Sequence, residues 1–101
     1  MIVIAGTARL HPSEQEEAVR AGSVMAAASR AEAGCADYRF AIDIDDPHVV
    51  HLFEQWESAD ALDAHFATPH FAAFAEVITR AVDGTAGFTR YEVASAGPLF
   101  G

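Results

Sequence analysis

Apolar residues follow two periods along this chain, one near 3.6 residues and one of 2, and each change of period marks an element. Residues 2–10 (IVIAGTARL) open with β-branched side chains and contain no proline, which predicts a strand. From Glu14 to Ala33, Ala18, Ala21, Met25 and Ala28 recur at helical spacing, and Val24 widens the stripe. Ser13 is placed to cap this helix, Glu16 to complete a capping box, and Glu14, Glu16 and Glu17 to complement the dipole. Gly34 terminates it. Cys35–Asp43 alternates around Tyr38, Phe40 and Ile42, as a half-buried strand does. Asp45-Asp46-Pro47 is turn chemistry. His48–Glu57 then returns as a second strand, with Val50, Leu52, Glu54 and Trp56 on one face and Val49, His51, Phe53, Gln55 and Glu57 on the other. Ser58 caps a short helix carrying Leu62 and Phe66. Thr68 and Pro69 restart it as N-cap and first helical residue. Phe71 is followed by Phe74, Ala75, Ile78 and Val82, at 3, 4, 7 and 11 residues, until Asp83-Gly84 ends the stripe. Residues 86–94 predict a last strand, and 95–101 a tail that is loose or docks on a partner.

The order β-α-β-β-α-β predicts a ferredoxin-like α+β fold, an antiparallel sheet with both helices on one face. It fills one domain, residues 1–94, with the tail after it. Leu52 and Trp56 make one face of the sheet apolar, and Val49 and Phe53 the other. The helices cover only one, so the second calls for an identical sheet, and a homodimer is expected. Composition pushes the same way. With 51% apolar residues the chain of 101 folds. Yet 22 of its residues are alanines, which bury little area each. A net charge of −9, with arginine as the only basic residue besides histidine, argues against nucleic acid or an anionic membrane as partners. The start MIVIAG lacks the basic end and long apolar run of a signal peptide, so a cytoplasmic location is expected. A single Cys35 excludes an internal disulfide and a multi-cysteine metal site.

No nucleophile elbow, phosphate loop or dinucleotide fingerprint is present. His65 and His70 lie about 140° apart on a continuous helix, and the break at Pro69 can fold them together. They read either as junction-shielding and solvated residues or, beside Phe66 and Phe71, as an acid/base or hydrogen-bonding corner of a pocket. Two imidazoles without a third ligand at a useful spacing point away from a metal. Glu54, between Leu52 and Trp56, reads as an ion pair with Arg9, Arg39 or Arg90, or as a pocket carboxylate. Trp56 reads as core and Cys35 as a small buried hydrophobe.

The stretch Glu54-Gln55-Trp56-Glu57-Ser58, then Leu62, Ala64-His65 and Thr68-Pro69-His70-Phe71, resembles the antibiotic biosynthesis monooxygenase family. Glu32-Ala33-Gly34-Cys35, Tyr38 and Asp46-Pro47 fit the same pattern upstream, so the resemblance runs from Ile2 to Glu92. It implies a dimeric α+β barrel, two such sheets packed face to face. Relatives include cofactor-free monooxygenases of polycyclic phenols, quinol monooxygenases, haem-degrading enzymes and a phosphosugar isomerase. Haem degradation is disfavoured, because Ala8 and Phe74 stand where those relatives carry an Asn and a ligand His. The quinol-type monooxygenase is the closer match. It implies a small aromatic or quinol substrate, dioxygen, and no metal, haem or flavin. The implied pocket has Leu52, Trp56, Phe66, Phe71 and Phe74 as walls, with His65 first, then His70 and Glu54, as base or hydrogen-bonding groups. A non-catalytic small-molecule-binding or stress protein and a phosphosugar isomerase-like enzyme are the alternatives.

Overall fold

The strand β1 (Ile2–Arg9) pairs antiparallel with β3 (Val49–Trp56) on one side and with β4 (Gly87–Glu92) on the other, and β2 (Cys35–Ile42) adds to the far edge of β3. The sheet therefore runs β2-β3-β1-β4, the ferredoxin-like order predicted from the sequence. A computed structural model describes all 101 residues. The helices are α1 (Gln15–Arg30), α2 (Ala59–Phe66) and α3 (Pro69–Ala81). None is long and apolar enough to cross a membrane.

The break between α2 and α3 follows the chemistry read from the sequence. The Ser58 side chain accepts from the Ala61 amide, and Thr68 accepts from the Phe71 amide just before Pro69. The start of α1 differs. Pro12 opens a 3₁₀ turn over Pro12–Glu14, so Ser13 already lies inside a turn and caps nothing. The buried stripe of α1 is also rotated, to Ala18, Gly22, Met25, Ala26 and Ser29, while Val24 is 69% exposed. The helix stops at Arg30, and the chain turns through Ala31–Ala33 to Gly34, whose φ is +82°. A side chain at Gly34 would be strained there and would also strike Ala61.

Two clusters form the core. Ile2, Met25, Tyr38, Leu52, Trp56 and Leu62 pack at one end, and Ala8, Leu10, Ala18, Val50 and Ala81 at the other. Between them the chain leaves a cavity of about 340 Å³, with sheet residues such as Leu52 and Phe88 on one side and α3 residues such as Phe74 and Ile78 on the other. The opposite face of the sheet has no helix over it. Phe53 and Tyr91 there are 39% and 50% exposed.

Strands β1 and β4 approach closely at Gly6, where any side chain would collide with the backbone of Gly87. A methyl at Gly87 itself meets nothing. Gly6→Ala should therefore cost roughly 2 kcal/mol, in the range for forced overpacking. Gly87→Ala should be close to neutral. Urea denaturation of both variants checks the contrast.

Candidate functional site

Glu54 is the only charged residue on the cavity wall. It projects inward from β3 because it shares the face of Val50, Leu52 and Trp56, and it is 6% exposed. No arginine meets it. Arg9 pairs with Asp46, Arg39 pairs with Asp37 and Arg90 makes no salt bridge with Glu54, so of the two readings the pocket carboxylate is the one that fits. Its partner is the indole: Trp56 Nε1 donates to Glu54 Oε1 at 2.9 Å. Burial raises the carboxyl above its ordinary value, the indole bond partly offsets that, and the negative charge of Glu32 adds to the rise.

Tyr38 stands opposite Glu54 in the β2–β3 register and reaches the same cavity. Burial, followed by the charge of Glu54, pushes its phenol up and holds it neutral, as a hydrogen-bond donor. In the sequence a tyrosine at an inward strand position reads as core, and no local signal marks it as a site residue. Strand register would have exposed it, by pairing it with Glu54.

The structure brings Leu52, Phe66, Phe71 and Phe74 to the cavity together with Glu54. Phe66 and Phe71 meet edge to face, with centroids 5.2 Å apart. Trp56 lies beneath the wall, fully buried. His65 and His70 are not on the wall. His65, 1% exposed, stacks on Trp56 with ring centroids 4.7 Å apart and also touches Tyr38 and Phe71.

The break at Pro69 does fold the two imidazoles together, to 5.9 Å between centroids. A third group joins them from the turn after α1. Glu32 Oε2 lies 2.6 Å from His65 Nδ1 and 2.8 Å from His70 Nε2. The absence of a third ligand-type group near the histidines is thus corrected. Glu32 is 33 and 38 residues away in the chain, and no local spacing signals it. Cys35 is close by, but burial and the charge of Glu32 push its thiol up to about 11, which keeps it a poor nucleophile.

Comparisons with known proteins agree with this architecture. The profile of the antibiotic biosynthesis monooxygenase family matches residues 1–77, and the chain belongs to that family. An uncharacterised protein of Synechocystis sp. is 37% identical over 75 residues, covering 74% of this chain and 51% of that one. The chain therefore spans about half the length of that curated relative. A candidate antibiotic biosynthesis monooxygenase from Deinococcus radiodurans superposes over 100% of both chains with a TM-score of 0.89 at 24% identity, which speaks for the fold alone. The Pseudomonas aeruginosa protein PA3566 covers 92% of this chain and 94% of its own, with a TM-score of 0.81 and 30% identity. A candidate oxidoreductase of unknown function from Bacteroides thetaiotaomicron is 26% identical, covers 91% and 96%, and has a TM-score of 0.84.

The raised carboxyl of Glu54 has a stability consequence. Above the ordinary carboxylate range the unfolded chain has released this proton while the folded chain still holds it. Stability from this group is therefore full at low pH and is lost as pH rises through the raised folded value. Glu54→Gln, which can still accept from Trp56, should be more stable than the parent at pH 7 and closer to it at pH 4. Urea midpoints of both proteins between those values test the divergence.

Proposed function

We propose that the protein is a cofactor-independent monooxygenase that oxidises a quinol or polycyclic phenol with dioxygen. The observation that carries this reading is the aromatic cavity of about 340 Å³ with one buried carboxylate on its wall. Its size suits a small aromatic ligand. Glu54 can take the phenol proton, since Trp56 occupies Oε1 and leaves Oε2 for the substrate. Raised basicity brings the carboxylate nearer to a phenol than an exposed one would be. The Tyr38 hydroxyl donates a hydrogen bond to the anion so formed. In an apolar surround that electron-rich anion transfers an electron to dioxygen. Overall, quinol and dioxygen become a hydroxyquinone and water, with the substrate supplying all four electrons.

His65, first in line as base from the sequence, takes a positioning part in this reading, because it supports Trp56 from behind. His70 stands one step further out. Ala8 and Phe74, at the positions where haem-degrading relatives carry an Asn and the ligand His, both line the cavity, and neither side chain can ligate iron. The phosphosugar isomerase alternative lacks a phosphate partner, since no arginine borders this cavity. Arg30 and Arg39 border an adjoining cavity of about 260 Å³ beside α1 and β2, which shares Phe40, Val50, Phe74 and Ile78 with the first. The non-catalytic binding protein remains the competing reading, and turnover decides between them.

The working unit in this reading is a homodimer located in the cytoplasm. Phe53 and Tyr91 on the uncovered sheet face, and Leu99 and Phe100 in the tail, are the apolar surface that a second copy would bury. Sedimentation equilibrium at micromolar concentration should give twice the mass of the chain, and Phe53→Glu should shift it toward monomer.

An oxygen electrode with a panel of reduced naphthoquinones and anthrones tests the chemistry. Glu54→Gln should lower turnover by roughly 10²-fold, the lower range for loss of a general base. Cys35→Ser should leave it unchanged. Parent turnover should rise with pH through the raised Glu54 value, since only the ionised carboxylate accepts the proton. No oxygen uptake with any member of the panel would hand the assignment to the binding protein.

A further inference from the structure

We propose that Glu32, His65 and His70 form a binding site for a divalent first-row transition-metal ion, apart from the cavity. The three residues come from the turn after α1, the last turn of α2 and the first turn of α3, and their donor atoms all lie within 4.8 Å of one another. Metal bonds to nitrogen and oxygen of about 2.0–2.2 Å place three donors around one ion roughly 3–4 Å apart. Glu32 Oε2 now sits between the two ring nitrogens, at 2.6 and 2.8 Å. An outward turn of the flexible carboxylate opens the space between the rings while keeping an oxygen in reach. Two imidazoles and one carboxylate select zinc, cobalt or nickel over magnesium or calcium, which prefer oxygen.

A second observation bears on which His65 tautomer the surroundings favour. His65 Nε2 is buried and has no hydrogen-bond partner. In a neutral ring, giving the Nδ1 proton to Glu32 leaves Nε2 as a bare acceptor among Trp56, Tyr38 and Phe71, with no donor. An ion at Nδ1 moves the ring proton to Nε2, and an N–H is better tolerated among aromatic rings than a lone pair. The surroundings thus favour the tautomer that binds metal. His70 and Glu32 are 23% and 14% exposed, which leaves a path to solvent and a position for water on the ion. The net charge of −9 draws cations to the chain. The other histidine–carboxylate pairs, His11 with Asp83 and His51 with Asp43, are exposed and have only two donors each.

The ion would pin three helical segments together and hold His65 against Trp56. Its binding is read independently of any turnover. Protein stripped with a chelator should take up one Zn²⁺ per chain at micromolar concentration by calorimetry, and melt roughly 10 °C higher at a hundredfold excess over Kd. Co²⁺ should give a ligand-field absorption band. Glu32→Gln and His70→Ala should each weaken binding at least tenfold, while His51→Ala should not. Should a variant fail to fold, NMR of the parent decides: the His65 and His70 ring signals must move on adding Zn²⁺. Absence of stoichiometric binding, binding that survives both substitutions, or movement confined to His11 and His51 would overturn the site.

Discussion

The stack of His65 on Trp56 is the contact from which the rest of the site is hung. Trp56 is fully buried, so its N–H needs a partner, and the face-sharing Glu54 two residues back is the group in reach. That bond fixes one carboxylate oxygen and leaves the other unclaimed. His65 presses the indole from behind, and Glu32 holds His65 by its ring nitrogen. The result is a chain of contacts in which hydrogen bonds link the part-exposed His70 through Glu32 to His65, a ring contact passes from His65 to Trp56, and a hydrogen bond carries it on to the carboxylate on the cavity wall. Most members of this line are hydrogen-bonded, and the one fully buried polar atom without a partner, His65 Nε2, lies on the side of the ring away from Glu32.

The cavity exists because the chain packs unevenly. On the side of α1, small residues allow close approach at Phe40, although they also line the second cavity of about 260 Å³. Gly22 lies so near Phe40 that a methyl there would just touch the ring. On the side of α3, Phe71, Phe74 and Ile78 are large and only half buried, and they face Leu52 and Phe88 across open space. Two separate core clusters carry the stability at the two ends, so the middle need not be filled. A chain rich in alanine has few large side chains to spare, and these line the cavity instead of closing it. The buried carboxylate is a cost to folding that the rigid scaffold tolerates.

Much of this was legible in the chain. Periodicity places the four strands and the helices, because period 2 and period 3.6 are set by backbone geometry and need no knowledge of the partner, and Thr68-Pro69 marks the break between the last two helices. Capping by Ser58 and Thr68 was legible for the same reason: a cap reaches only three residues. The stripe of α1 was less so. A helix made largely of alanine carries a weak apolar contrast, and contact with β2 decides which face is buried.

The site divides along the same line. Leu52, Glu54, Phe66, Phe71 and Phe74 could be named from the sequence, since side chains two or three to four residues apart share a face on a strand or helix. Which of those faces meet, and whether the space between them is filled, is decided by the distance at which whole elements pack. Tyr38 and Glu32 belong to the site only through that packing. Strand pairing sets Tyr38 opposite Glu54, and the turn after α1 delivers Glu32 to two histidines more than thirty residues away. Local sequence records what a residue does to its own element, whereas contacts between distant elements are selected by the shape and burial of the whole molecule.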